Sequence, residues 1–204
     1  MKTKLNIIAF YLLALTIGGC VPVLSIQPLF SEDELFFDPN LLGLWKAADS
    51  NQTWQFSRSE DPNIYKLVIT ENDRKQGNFL AALGELEDNL FLIIYPQESA
   101  GQESDFYKLH TLGLCSFMKV EQLNPNLKIA MMDDERVNKI IETDPNILKH
   151  EIVDNVLTAP TQELQEFVIE YGINVDDANS IFGKPAEFIR LAQDANDNPT
   201  AKEQ

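Results

Sequence analysis

Between Trp45 and Asp133 the apolar and polar residues alternate with a period of two, the repeat of strands that bury one face. Trp54 and Phe56 alternate with Thr53, Gln55 and Ser57, and Tyr65, Leu67 and Ile69 alternate with Lys66 and Thr70. Phe79, Ala81 and Leu83 continue the pattern, and Asp88-Asn89 supplies a tight turn after them. Leu90 to Tyr95 is apolar without alternation, which predicts a strand covered on both faces. Leu114 to Val120 and Leu127 to Met131 are predicted to pair across Asn124-Pro125-Asn126. Short strands joined by local turns predict an antiparallel β-meander, with a curled sheet or partial barrel as its form.

The last third changes period. Asp133-Asp134 opens a short predicted helix with Val137, Ile140 and Ile141 on one face, and Asp144-Pro145 stops it. His150 to Val153 and Val156 to Thr158 flank Asp154-Asn155 as a hairpin. Thr161 is placed to cap a helix whose Leu164, Phe167, Val168 and Tyr171 follow i, i+3, i+4, i+7, with Gly172 ending it. A third short helix is predicted to start at Pro185 and carry Phe188, Ile189 and Leu191. The fold class is therefore α+β: the meander followed by two or three short C-terminal helices.

The amino terminus is organised differently. Lys2 and Lys4 precede an apolar run from Leu5 to Ile17, which closes on Gly18-Gly19-Cys20. The run is shorter than the roughly 20 apolar residues a membrane span needs, and it has the charge and hydropathy order of a signal peptide. Ile17-Gly18-Gly19-Cys20 resembles the lipobox of bacterial lipoproteins. The resemblance implies cleavage between Gly19 and Cys20, diacylglyceryl transfer to the Cys20 thiol and acylation of the new terminus. Val21 after the cysteine is not aspartate, which by the same resemblance favours the outer membrane, facing the periplasm. The chain then divides into a signal peptide over 1–19, a lipid-anchored tether over 20–37, one globular domain over 38–192 and a disordered tail over 193–204. Leu35, Phe36 and Phe37 at the tether's end, and Leu41 and Leu42 just after it, are apolar, so the segment is expected to dock rather than float.

Charge narrows the partners. The chain carries 32 Asp+Glu against 16 Lys+Arg, a formal net charge of -16. Such a surface repels nucleic-acid phosphates and anionic headgroups, so no nucleic-acid partner is expected, and membrane attachment rests on the lipid at Cys20. With Cys20 acylated, Cys115 is left without a disulfide partner. Its neighbours Leu112, Leu114, Phe117 and Met118 predict a buried, unreactive thiol.

Two further resemblances concern the mature chain. Ser25 to Phe30, Asp38 to Trp45, Thr53 to Phe56 and His150 to Asn155 are similar to phrases of an uncharacterised family of bacterial envelope lipoproteins, which brings no catalytic assignment. Gly43-Leu44-Trp45, entering the first long strand, is similar to the G-x-W of lipocalins, where the tryptophan plugs the closed end of a β-barrel that binds an apolar ligand. The helices expected among the last strands argue against a closed eight-stranded barrel here. The alternative is a tryptophan that caps the core of a half-open sheet. Trp45 and Trp54 are the candidate ligand-pocket residues.

No catalytic constellation accompanies them. His110 and His150 lack ligand spacing for zinc, and neither Asp133-Asp134-Glu135 nor Asn174 to Asn179 has the glycine and terminal glutamate of a calcium loop. No nucleophile elbow or phosphate-binding glycine loop is present. The sequence thus predicts a lipid-anchored envelope lipoprotein, not an enzyme and without cofactor or metal. It would act as a binding or scaffold module for an envelope protein; the alternative is a carrier of small apolar ligands.

Overall fold

The computed structural model describes residues 23–97, 113–151 and 156–191; the signal segment, Cys20, His110, Asp154-Asn155 and the tail over 193–204 lie outside them. Eight antiparallel strands close on themselves: β3 (Gly43–Ala47), β4 (Thr53–Arg58), β5 (Ile64–Thr70), β6 (Gln76–Leu86), β7 (Asn89–Pro96), β8 (Ser116–Gln122), β9 (Leu127–Met131) and β12 (Ala186–Leu191). Each neighbours the next in chain order, β12 returns to β3, and β6 pairs both β5 and β7. The antiparallel meander is thus present and goes further than a partial barrel. A short β2 (Leu35–Phe36) adds to β6 beyond the end of β5.

Closure depends on β12, where the sequence pattern points to a helix. Phe188 faces the core and Ile189 faces solvent, the alternation of a strand. Phe188 pairs with Ala47 and with Leu127, so one six-residue strand joins β3 to β9 and removes both open edges. The helical reading of Pro185 to Leu191 and the half-open sheet are both corrected by this pairing. Among the described residues two short α-helices remain: α1 (Asp134–Thr143) and α2 (Thr161–Val168).

Strand alternation divides the core in two. Trp45, Trp54, Phe56, Tyr65, Leu67, Ala81, Leu83, Leu92, Ile94, Met118, Val120, Leu127, Ile129 and Phe188 fill the barrel. Phe91, Ile93, Phe117 and Ala130 point outward instead, beneath a second layer drawn from Leu29, Phe30, Leu148, Leu157, Leu164, Phe167 and Phe182. The unbroken apolar run of β7 is thereby covered on both faces, as its sequence predicts.

That second layer also takes in the segment after Cys20. Leu24–Ser25 forms β1, parallel to β11 (Val156–Leu157), which in turn pairs β10 (His150–Glu151). Leu29 and Phe30 are buried, and the Phe30 ring occupies the space above Gly84 where a Cβ would stand. Only glycine leaves β6 bare enough there for a ring to lie on its backbone.

The local starts and stops follow ordinary chemistry, with three adjustments. Asp133 caps α1 by accepting from the Arg136 backbone N–H at 3.1 Å, and Asp144 stands at its end. The β6–β7 turn falls on Glu87-Asp88, one residue earlier than predicted, and both take positive φ (50° and 59°) as a two-residue hairpin turn demands. Thr161 is the first residue of α2 rather than its cap, and its hydroxyl donates to the Pro28 carbonyl at 2.7 Å. Gly172 does not end α2; the helix widens into a π-turn over Ile169–Ile173, where the buried Gly172 makes room for the Phe182 ring.

Candidate functional site

The two ends of the barrel differ. At one end residues 36–42 fold across the opening: Leu41 is fully buried, and Phe37 stacks on Tyr65 at 4.8 Å. The Tyr65 hydroxyl accepts from the Asp38 backbone N–H at 2.6 Å and donates to its carbonyl at 3.0 Å. Burial, chiefly, pushes that hydroxyl up to about 12, so it stays a neutral donor.

Trp45 sits at this sealed end. It is fully buried, and its Nε1 donates to the Leu41 carbonyl at 2.9 Å. Above its ring, at 4.0 Å, lies the Arg190 guanidinium from β12, which also donates to the carbonyls of Leu42 and Asn40. The glycine of Gly43-Leu44-Trp45 has its own reason. Its φ is +121°, and a Cβ there would stand 2.9 Å from an Arg190 nitrogen. Gly43, Trp45 and Arg190 therefore form one latch that locks the last strand onto the first.

The other end carries apolar side chains that face inward without being buried. Ile69 and Phe79 pack on the barrel core while remaining half-buried. Met131 lies opposite the inward-facing Met118 in the β8–β9 register, which puts it on the lumen face, and it is 45% exposed. Ser116, Pro96 and Ala186 complete this rim by the same alternation. Gly77 shapes it: the Phe79 ring lies within 2.6 Å of where a Gly77 Cβ would be, so the missing side chain is the ring's seat.

Trp54 stands between the two ends, paired with Trp45 on one side and with Ile69 on the other. Its ring meets Phe188 at 5.0 Å and Phe56 at 6.2 Å. It is 5% exposed, and its Nε1 is buried with no hydrogen-bond partner. The two candidate pocket residues are thus neighbours in different settings: Trp45 belongs to the plug, and Trp54 lies beside the half-buried Ile69 of the other rim. Arg190, Phe79, Gly77 and Met131 were not singled out from the sequence. Arg190 has a signal there, since a period-two reading of Phe188 to Arg190 puts both residues on one face of a strand.

The remaining candidates are not brought together. Cys115 is buried, and its Sγ lies 3.4 Å from the carbonyls of Ser25 and Gln27, both positioned as acceptors. Desolvation pushes the thiol up to about 11, so it is a neutral packing group at ordinary pH. His150 Nδ1 contacts the Leu148 carbonyl at 2.7 Å. Asp133 is spent on Arg136, and Asp176 on the backbone N–H and side-chain amide of Asn179. Among the described residues no group of three or more His, Cys, Asp or Glu is arranged to hold a metal ion, and no helix is long and apolar enough to cross a membrane.

The class this geometry defines is a closed up-and-down eight-stranded antiparallel β-barrel with an extra strand, sealed at the Trp45 end and, among the described residues, uncovered at the Met131 end. No protein-family model, curated protein or solved structure matches the chain.

Proposed function

We propose that this protein is a non-enzymatic binding lipoprotein of a bacterial envelope, held to the outer membrane by lipid on Cys20, and that the open end of its barrel takes a small apolar molecule. The supporting observation is the asymmetry of the barrel. Ile69, Phe79 and the 45%-exposed Met131 face inward at one end without being fully buried, an apolar patch of the kind that marks a binding site. A small apolar ligand covers such a rim at low cost, since each buried CH₂ contributes about 0.8 kcal/mol. Met131 suits the task because an unbranched thioether repacks around different shapes. The G-x-W resemblance supports the same reading, with Trp45 at the sealed end. The tests are made on the mature protein purified from its membrane. Native mass spectrometry is expected to show a small-molecule adduct that Met131→Lys loses. A bare protein mass, with another envelope protein in stoichiometric complex, would instead support the scaffold reading and overturn this one.

A further inference from the structure

Trp54 raises a question that an apolar rim alone does not answer. A buried indole N–H without an acceptor is destabilising, because nothing replaces the water it gave up. Buried tryptophans ordinarily find a partner for this group, and Trp45 in the same barrel does so through the Leu41 carbonyl. The two rings are register partners on adjacent strands, yet only the Trp54 Nε1 is orphaned. Its other strand partner, Ile69, belongs to the open rim.

We infer that Trp54 is a specificity residue, and that the ligand of the open end carries a neutral hydrogen-bond acceptor of the carbonyl type which reaches Trp54 Nε1. This rests on the reading that the open end binds an apolar molecule, and it adds the polar group such a molecule must bear. Neutrality follows from the surroundings. A carboxylate brought to this depth would lose its hydration for a single neutral donor, an exchange that is strongly unfavourable. The described turns at this end carry Asp49, Glu71 and Asp73 against Arg74 and Lys75, with Lys75 paired to Asp73 at 2.6 Å, so they offer an anion no net positive charge. A ketone, ester or amide oxygen avoids both penalties. Among the described residues, Met131 and the Phe79 ring on Gly77 stand between this end and the core, and both are already partly in solvent.

The test uses the full-length chain in nanodiscs and three probes of matched shape: acetophenone, α-methylstyrene and benzoate. The ketone and the alkene differ in having an oxygen or a CH₂ at the same position, and benzoate adds the charge. Affinities are measured for the unaltered protein and for Trp54→Phe, and partition into lipid cancels in the ratio of the two proteins. Acetophenone is expected to lose about threefold to tenfold more affinity than α-methylstyrene on Trp54→Phe, as one neutral hydrogen bond would give, with benzoate weakest on the unaltered protein. A second readout needs no variant. The chain has 2 tryptophans, so two indole N–H resonances are seen. Acetophenone, unlike the alkene, should move one of them downfield and slow its exchange, leaving the Trp45 signal in place. Equal losses for ketone and alkene, with neither indole signal responding, would overturn the inference while the open-end reading stands. Benzoate binding as tightly as acetophenone would overturn the neutral-acceptor assignment. Failure of every probe to bind would remove the open-end reading itself, and the inference with it.

Discussion

Arg190→Ala should unfasten the sealed end of the barrel. The guanidinium lies 4.0 Å over the Trp45 ring and donates to the carbonyls of Leu42 and Asn40, so truncation removes a cation–π contact and two charge-assisted hydrogen bonds at once. The contact to the ring is worth about 0.5–2 kcal/mol at a half-buried site. A charged donor to the part-buried Leu42 carbonyl adds roughly 1.5 kcal/mol, and the exposed bond to Asn40 adds little. The total is about 2–4 kcal/mol. With a urea m-value of roughly 2 kcal/mol/M, the midpoint should fall by about 1–2 M. Arg190→Lys keeps the charge without the planar fork and should recover less than half of the loss. Equilibrium urea unfolding followed by far-UV dichroism measures the midpoint, and tryptophan emission in a Trp54→Phe background, which leaves Trp45 as the chain's one indole, reports whether the plug has loosened. Gly43→Ala should be destabilising in its own right through its φ of +121°, and further through the 2.9 Å approach of its Cβ to Arg190. The steric part should vanish in the double variant, which makes the two substitutions less than additive. An Arg190→Ala midpoint within roughly 0.3 M of the parent, inside extrapolation error, would refute the latch.

Other expectations follow from the second layer and the amino terminus. Phe30→Ala should cost about 3–5 kcal/mol in chemical unfolding, because it empties a fully packed site; Gly84→Ala should cost about 1–3 kcal/mol by displacing the same ring, and a fully additive pair would argue that the ring does not lie there. Cys115 should resist Ellman's reagent at pH 8 until denaturant is added, since its titration is pushed up to about 11; rapid native labelling of this residue would contradict its burial. Stability should fall on the alkaline side. Cys115, Tyr65 and Tyr95 all have folded values raised above their ordinary ones, to about 11, 12 and 12, so the unfolded chain ionises first. Their contribution is present below about pH 9 and lost as pH rises through 11 to 12. A flat urea midpoint from pH 9 to 12 would count against this. Cys20→Ser should leave the precursor uncleaved and shift the protein out of the lipid-anchored membrane fraction; unchanged processing and fractionation would refute the lipobox reading.

The meander was legible because period two is a local property. Trp54-Gln55-Phe56 and Tyr65-Lys66-Leu67 state which face is inward without reference to any other part of the chain. The eighth strand was not legible for the opposite reason. Phe188, Ile189 and Leu191 after a proline satisfy a helical spacing as well as a strand, and what decides between them is pairing with Ala47 and Leu127, far away in sequence. Barrel closure was missed with it, since an unclosed sheet follows directly from a missing strand. Trp45 and Trp54 were identifiable as large aromatic residues at strand positions. Their division of labour was not, because it depends on where Arg190 lies and on which indole N–H finds a carbonyl. The small residues were the least visible. Gly77 and Gly84 look like isolated glycines in a strand, and their purpose appears only once the Phe79 and Phe30 rings are seen lying on them.

The claim that the open end binds an apolar molecule is tested most directly by methionine methyl resonances in the intact chain. Three methionines report on three places: Met131 at the open rim, Met118 within the barrel and Met132 in the outer layer. Titration with a small apolar probe such as acetophenone should shift Met131 most, Met118 less, and Met132 not at all. Saturating probe that leaves Met131 and Met118 unmoved, or that shifts Met132 alone, would contradict the account.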